Sequence, residues 1–119
     1  MRNKVLVVDD QTGIQMLLEE IIKQEGYQAI IACNGLEAYQ LIQQAKPDLL
    51  ITDYKLPVLD GAGLIVKNES EGIHIPTVVM SGLPEKAEGA IAGLQSVVKV
   101  IGKPFPLEEI RSILQELLQ

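Results

Sequence analysis

Five short aliphatic runs, each followed by a stretch of helical spacing, constrain this chain more than any other feature of it. Val5–Val8, Gln28–Ala32, Asp48–Thr52, Thr77–Met80 and Val97–Ile101 are rich in aliphatic residues and too short for helices, so they predict strands. Helices are predicted over Gly13–Glu25, from the Asn34-Gly35 turn to Ala45, and over Ala62–Glu69, Pro84–Leu94 and Leu107–Leu118. Ile14, Leu17, Leu18, Ile21 and Ile22 recur three or four residues apart and give the first helix one apolar face, which Gly26 ends. Strands that alternate with helices form βαβ units, which call for a parallel sheet covered by helices. Such strands are buried on both sides and read as nearly unbroken Val, Ile and Leu. Composition agrees: 47% of residues are hydrophobic, yet only 3% are aromatic and tryptophan is absent. Gln28–Ala32 is short and begins with polar residues, as an edge strand does. Pro84–Leu94 contains Gly89 and Gly93, each costing about 1 kcal/mol against Ala, and is expected to be the least stable helix.

A chain of 119 residues supplies one core and not two, so a single domain over residues 1–119 is expected. The last predicted helix runs to the end of the sequence, and no second domain is expected after it. A formal net charge of −6 argues against nucleic-acid binding through phosphate neutralisation. Cys33 is the sole cysteine and cannot form an intramolecular disulfide; a reducing compartment and packing as a small apolar residue are expected for it. No apolar run approaches the roughly 20 residues that span a bilayer. Met1-Arg2-Asn3-Lys4 leads straight into the first strand without a cleavage site, so no signal peptide and a cytoplasmic location are expected.

The chemistry gathers where strands end. Asp9 and Asp10 follow Val5–Val8, and adjacent carboxylates beside a buried strand are costly unless a cation sits on them. Asp53, Ser81 and Lys103 follow the third, fourth and fifth strands. In a parallel sheet these C-terminal ends converge on one edge, where ligands bind. Magnesium takes one or two carboxylates plus phosphate oxygens, which Asp9, Asp10 and Asp53 suit. One cysteine and one histidine far apart in sequence leave no zinc site. An aspartate can attack phosphorus and form an acyl phosphate; Lys103 would then neutralise its oxygens and Ser81 would donate a hydrogen bond. Each residue alone has a plainer reading. Asp9-Asp10 would cap the first helix, Ser81 would form a turn with Gly82, and Lys103 would lie along the surface. His74, in the loop before Pro76, is expected to be solvated. Lys55 opens a loop set by Pro57 and the Asp60-Gly61 turn.

Taken in order, Asp9-Asp10, Asp53, Ser81 and Lys103-Pro104, with Leu56-Pro57 and Asp60-Gly61 between, resemble the receiver domain of two-component response regulators. The resemblance covers the whole chain. It implies a flavodoxin-like, doubly wound α/β fold, with a parallel five-stranded sheet in order 2-1-3-4-5. It implies phosphorylation at Asp53, with magnesium held by Asp9, Asp10, Asp53 and the Lys55 backbone carbonyl. Ser81 and Lys103 would bind the phosphoryl oxygens, and the Lys103-Pro104 bond would be cis. Val8-Asp9-Asp10-Gln11, Glu25-Gly26-Tyr27-Gln28, Asn34-Gly35-Leu36 and Lys103-Pro104-Phe105 are similar to the stand-alone phosphotransferases of sporulation phosphorelays. That likeness implies a monomer serving a sensor histidine kinase and a histidine phosphotransferase. The latter would dock on Gln11, Gly13, Ile14, Leu18, Leu83, Pro84, Pro104 and Phe105. Val100 departs from the family, which mostly carries an aromatic or histidine three residues before the lysine.

Overall fold

Aliphatic runs and helical periods become ten alternating elements in the computed structural model, which describes residues 3–118. They are β1 (Lys4–Val8), α1 (Thr12–Gln24), β2 (Gln28–Ala32), α2 (Gly35–Ala45), β3 (Leu49–Asp53), α3 (Gly61–Ser70), β4 (Thr77–Ser81), α4 (Pro84–Ala90), β5 (Val97–Gly102) and α5 (Leu107–Leu118). All strand pairs are parallel and the order is β2-β1-β3-β4-β5, as the family resemblance implies.

Alternation along each strand divides the core. Val5 and Val7 of β1, with Leu49, Ile51, Val78 and Met80, face Leu18, Ile21 and Ile22 of α1 and Ile110, Ile113 and Leu114 of α5. Leu6, Val8 and Leu50 point the other way, onto Ala38 and Ile42 of α2 and Leu64 of α3. Val79 continues that layer with Ile65 and Ile91. Side chains of successive strand residues leave opposite faces, so aliphatic residues at both parities require helices on both sides.

Four expectations are corrected. Cys33 is exposed in the β2–α2 turn and does not pack as an apolar residue. Its backbone N–H instead donates to Glu37, while Glu37 N–H donates to the Asn34 side chain at 2.8 Å, and this pair of bonds starts α2. Leu18 is fully buried and belongs to the core, so it is no part of a docking surface. The fourth helix ends at Ala90 and not at Leu94, because Gly93 takes a φ of +90° and the chain closes in turns after Ile91. Asp9 and Asp10 do not cap α1 as its N-cap residue; that position is Gln11, which makes no side-chain cap bond.

The start of the chain is fastened to its last helix: Asn3 Nδ2 donates to the Leu118 carbonyl at 3.1 Å. This contact lies at the edge where β1 begins, opposite the strand C-termini.

Candidate functional site

Two strands place the central acids. Asp53 is the last residue of β3, and Asp9 is the first residue past β1, its nearest neighbour in the sheet. Gly61 makes the close fit possible beneath them. A Cβ there would lie 2.4 Å from the Asp53 carbonyl oxygen, so only glycine lets the start of α3 approach. Asp9 is fully buried, Asp53 half-buried and Asp10 exposed, and one carboxylate oxygen from each lies within 4.8 Å of the others.

Lys103 holds the two inner acids together. Its Nζ donates to Asp9 Oδ2 at 2.7 Å and to Asp53 Oδ2 at 3.1 Å, and it lies 3.4 Å from Gln11 Oε1. The second Asp9 oxygen accepts from Gln11 N–H at 2.9 Å. The Lys103 N–H donates to the Ser81 carbonyl at 2.8 Å and registers the lysine against β4. The Lys103-Pro104 peptide bond is cis.

Ser81 closes β4, and its Oγ accepts from Leu83 N–H at 3.0 Å. A hydroxyl that accepts from the backbone keeps its own proton to donate elsewhere. Burial pushes the Asp53 carboxyl above its ordinary pKa, and the neighbouring Asp9 charge adds to this; Lys103 opposes both without cancelling them. Burial by itself would lower the pKa of Lys103, but hydrogen bonds and charge from Asp9 and Asp53 outweigh it and raise the value. One lysine shared by two acids is a complete partner for neither, so at Asp53 it opposes the effect of burial without cancelling it.

Asp53, Ser81 and Lys103 open into a cavity of about 560 Å³. Gln11, Ile14, Leu83 and Pro104, expected in the docking patch, line it, as does Lys55. Gly13 is exposed on α1, Pro84 begins α4, and Phe105 packs against the α1–α5 side of the core. Gly82, Tyr54 and, from α4, Lys86, Ala87 and Ala90 complete the wall, and the sequence gives none of them a part in the site. His74 is exposed near the opposite edge. The donor set is all oxygen and carboxylate-rich, which fits a hard divalent cation such as magnesium.

A doubly wound parallel sheet carries three acids, a hydroxyl and a lysine together at its C-terminal edge, and the chain belongs to the response regulator receiver domain family, whose sequence profile matches residues 5–115. Among individual proteins, it is 33% identical to sporulation initiation phosphotransferase F of Bacillus subtilis (strain 168), across 99% of this chain and 95% of that protein. It is 32% identical to the sensor histidine kinase TmoS of Ectopseudomonas mendocina, covering 97% of this chain but only 12% of the kinase. The chain spans 49% of another relative at 32% identity, the probable transcriptional regulator ycf27 of Cyanophora paradoxa. In structure it is similar to the receiver domain of Francisella response regulator 1452, with a TM-score of 0.87 at 30% identity over 98% of this chain and 96% of that one. Chemotaxis protein CheY4 of Vibrio cholerae gives 0.80 at 27% identity over 99% and 100%.

Proposed function

We propose that residues 1–119 form a phosphoryl carrier, which takes a phosphoryl group from a sensor histidine kinase onto Asp53 and passes it to a histidine phosphotransferase. The observation that carries this reading is Asp53 itself. Its carboxylate ends a strand beside Asp9 and Asp10, is held by Lys103, and faces an open cavity that also contains Ser81.

In the transfer, an Asp53 oxygen attacks phosphorus as the N–P bond of a phosphohistidine breaks. The bonding pair leaves with the imidazole, which takes up a proton. Asp9, Asp10 and Asp53, with the Lys55 carbonyl, would hold magnesium, which when bound neutralises charge on the phosphoryl oxygens. Lys103 exchanges part of its hold on Asp53 for those oxygens, and the Ser81 hydroxyl donates its free proton to them. Running the same steps backwards delivers the group to the next histidine. Gln11, Ile14, Leu83 and Pro104 surround the opening, and a partner docked there would bring its histidine to Asp53. We place the protein in the cytoplasm and read it as a monomer in a sporulation-type relay; among the described residues no helix is long and apolar enough to cross a membrane.

Two observations support a carrier over a receiver switched by a swinging aromatic ring. The likeness to a phosphotransferase extends over 95% of that protein. Val100 lies half-buried against the Val79–Ile91 cluster, and an aliphatic side chain has no ring to swing between pockets. The second reading, a receiver that governs a DNA-binding output, is favoured by the longer transcriptional regulator among the relatives.

Intact mass after incubation with a small phosphodonor, with and without magnesium, separates these readings. A magnesium-dependent gain of one phosphoryl group, absent in Asp53→Asn and lasting hours, is expected for a relay. Loss within seconds would favour the signalling reading. No gain would sink both.

A further inference from the structure

Lys86 makes no ion pair among the described residues and is placed against its own helix dipole, on the wall of the phosphoacceptor cavity. It lies in the first turn of α4 and lines the cavity with Asp53, Ser81 and Lys103. The positions three and four residues away are Gly82, Leu83, Gly89 and Ala90, so the helix offers it no acidic neighbour. Glu85 and Glu88 stand one and two residues away, on other faces of the helix. The ion pairs among the described residues use Lys23, Lys67, Lys103 and Arg111, and none uses Lys86. A positive charge in a first helical turn is unfavourable, because the dipole there is positive as well. Local choices that oppose the element carrying them mark places where function overrides stability.

The deficit on the other side of the cavity matches. A phosphoryl group brings a charge of about −1.5 to −2 and three acceptor oxygens. Lys103 is already divided between Asp9 and Asp53. Lys55 also lines the cavity, but it sits two residues past Asp53, in the loop that follows β3, and ties no separate element to the site. Lys86 belongs to a separate element.

We propose that Lys86 binds the phosphoryl group on Asp53 as a second side-chain cation, beside Lys103, and so draws the first turn of α4 onto the phosphorylated site. The inference rests on Asp53 being the acceptor. It makes charge the link between phosphorylation and α4, with no aromatic side chain required. The helix can respond because little holds it: seven residues, no side-chain cap bond and one buried side chain, Ala87.

The test is calorimetric binding of beryllofluoride, a phosphoryl mimic, in the presence of magnesium. Wild type, Lys86→Gln and Lys86→Arg are compared, with amide exchange read over residues 83–90. Lys86 is exposed, so both variants should fold. Glutamine is expected to weaken beryllofluoride binding about fivefold or more, the scale of one charge-assisted bond at a partly open site. It should also remove the protection of 83–90 on binding, whereas arginine should retain both, and affinity for magnesium alone should be the same in all three. Equal beryllofluoride affinity in wild type and Lys86→Gln would overturn the proposal and leave the acceptor reading intact. A wild type that binds magnesium but no beryllofluoride would overturn both.

Discussion

Val58 is the residue whose backbone departs furthest from its chemistry. Its φ is 69°, and Leu59 N–H donates to the Pro57 carbonyl at 2.8 Å, closing a three-residue turn around it. A β-branched residue in that conformation is strained by about 1–3 kcal/mol. Its neighbours impose the turn. A Cβ on Gly35 would lie 1.9 Å from the Leu59 carbonyl oxygen, so the loop is pressed against the start of α2. Asp60 then caps α3 by accepting from Gly63 N–H at 2.7 Å. Val58 is 78% exposed and loses little by truncation. Val58→Gly is therefore expected to stabilise the protein by about 1 kcal/mol net of glycine's entropy, raising Tm by a few degrees; a lower Tm would show that the turn is not strained. Nothing in Leu56-Pro57-Val58-Leu59 announces this conformation, since Pro57 and Asp60-Gly61 mark a loop but not its dihedrals. Leu18 was ambiguous for another reason. Its spacing fits the core face of α1 while its neighbours Gln11 and Ile14 reach the cavity, and only packing separates the two.

At the scale of elements, the strands were readable because β-branched aliphatic runs bounded by turns have few other uses. The expected bounds nonetheless missed the ends of β3, β4 and β5, which take in Asp53, Ser81 and Gly102. Polar strand ends look like loop residues until the sheet's hydrogen bonds are known. Gly89 and Gly93 in Pro84–Leu94 predict a weak fourth helix, and α4 is the shortest in the fold. A Cβ at Gly89 would meet nothing within 4 Å, and its φ is not in the left-handed region. Gly89→Ala should therefore raise the urea midpoint, adding about 0.5–1 kcal/mol, through the entropy of the unfolded chain. A lower midpoint would mean that α4 needs a flexible centre to pack at all.

For the whole molecule, the topology made the acids, the hydroxyl and the lysine readable as one site, since parallel strands deliver their C-terminal ends to a single edge. The sharing of Lys103 between Asp9 and Asp53 was not readable, because it depends on side-chain reach across three strands. That sharing has a consequence for stability. The raised pKa of Asp53 means that the folded protein holds this proton more tightly than the unfolded chain does. The resulting stabilisation is complete below the ordinary value of 3.8 and is lost as pH rises through the raised one. Asp53→Asn removes a charge that the fold keeps from water and leaves Lys103 its bond to Asp9. The variant is expected to have the higher Tm at pH 7, with the gap closing as pH approaches 3.8; equal Tm values at pH 7 would show that the lysine compensates fully. The contribution of Lys103 runs towards the alkaline side: it is present below 10.5 and lost above its raised value.

The bond from Asn3 to the Leu118 carbonyl joins the two termini of the fold on the side away from the acids. A unit whose ends meet behind its working edge behaves like a bead with one stem. It can hang from a host of any size, between two stretches of another chain or at the tip of one, without turning its cavity away from a visitor. Relatives in which the matching segment is 12% or 95% of the whole are what such a stem allows.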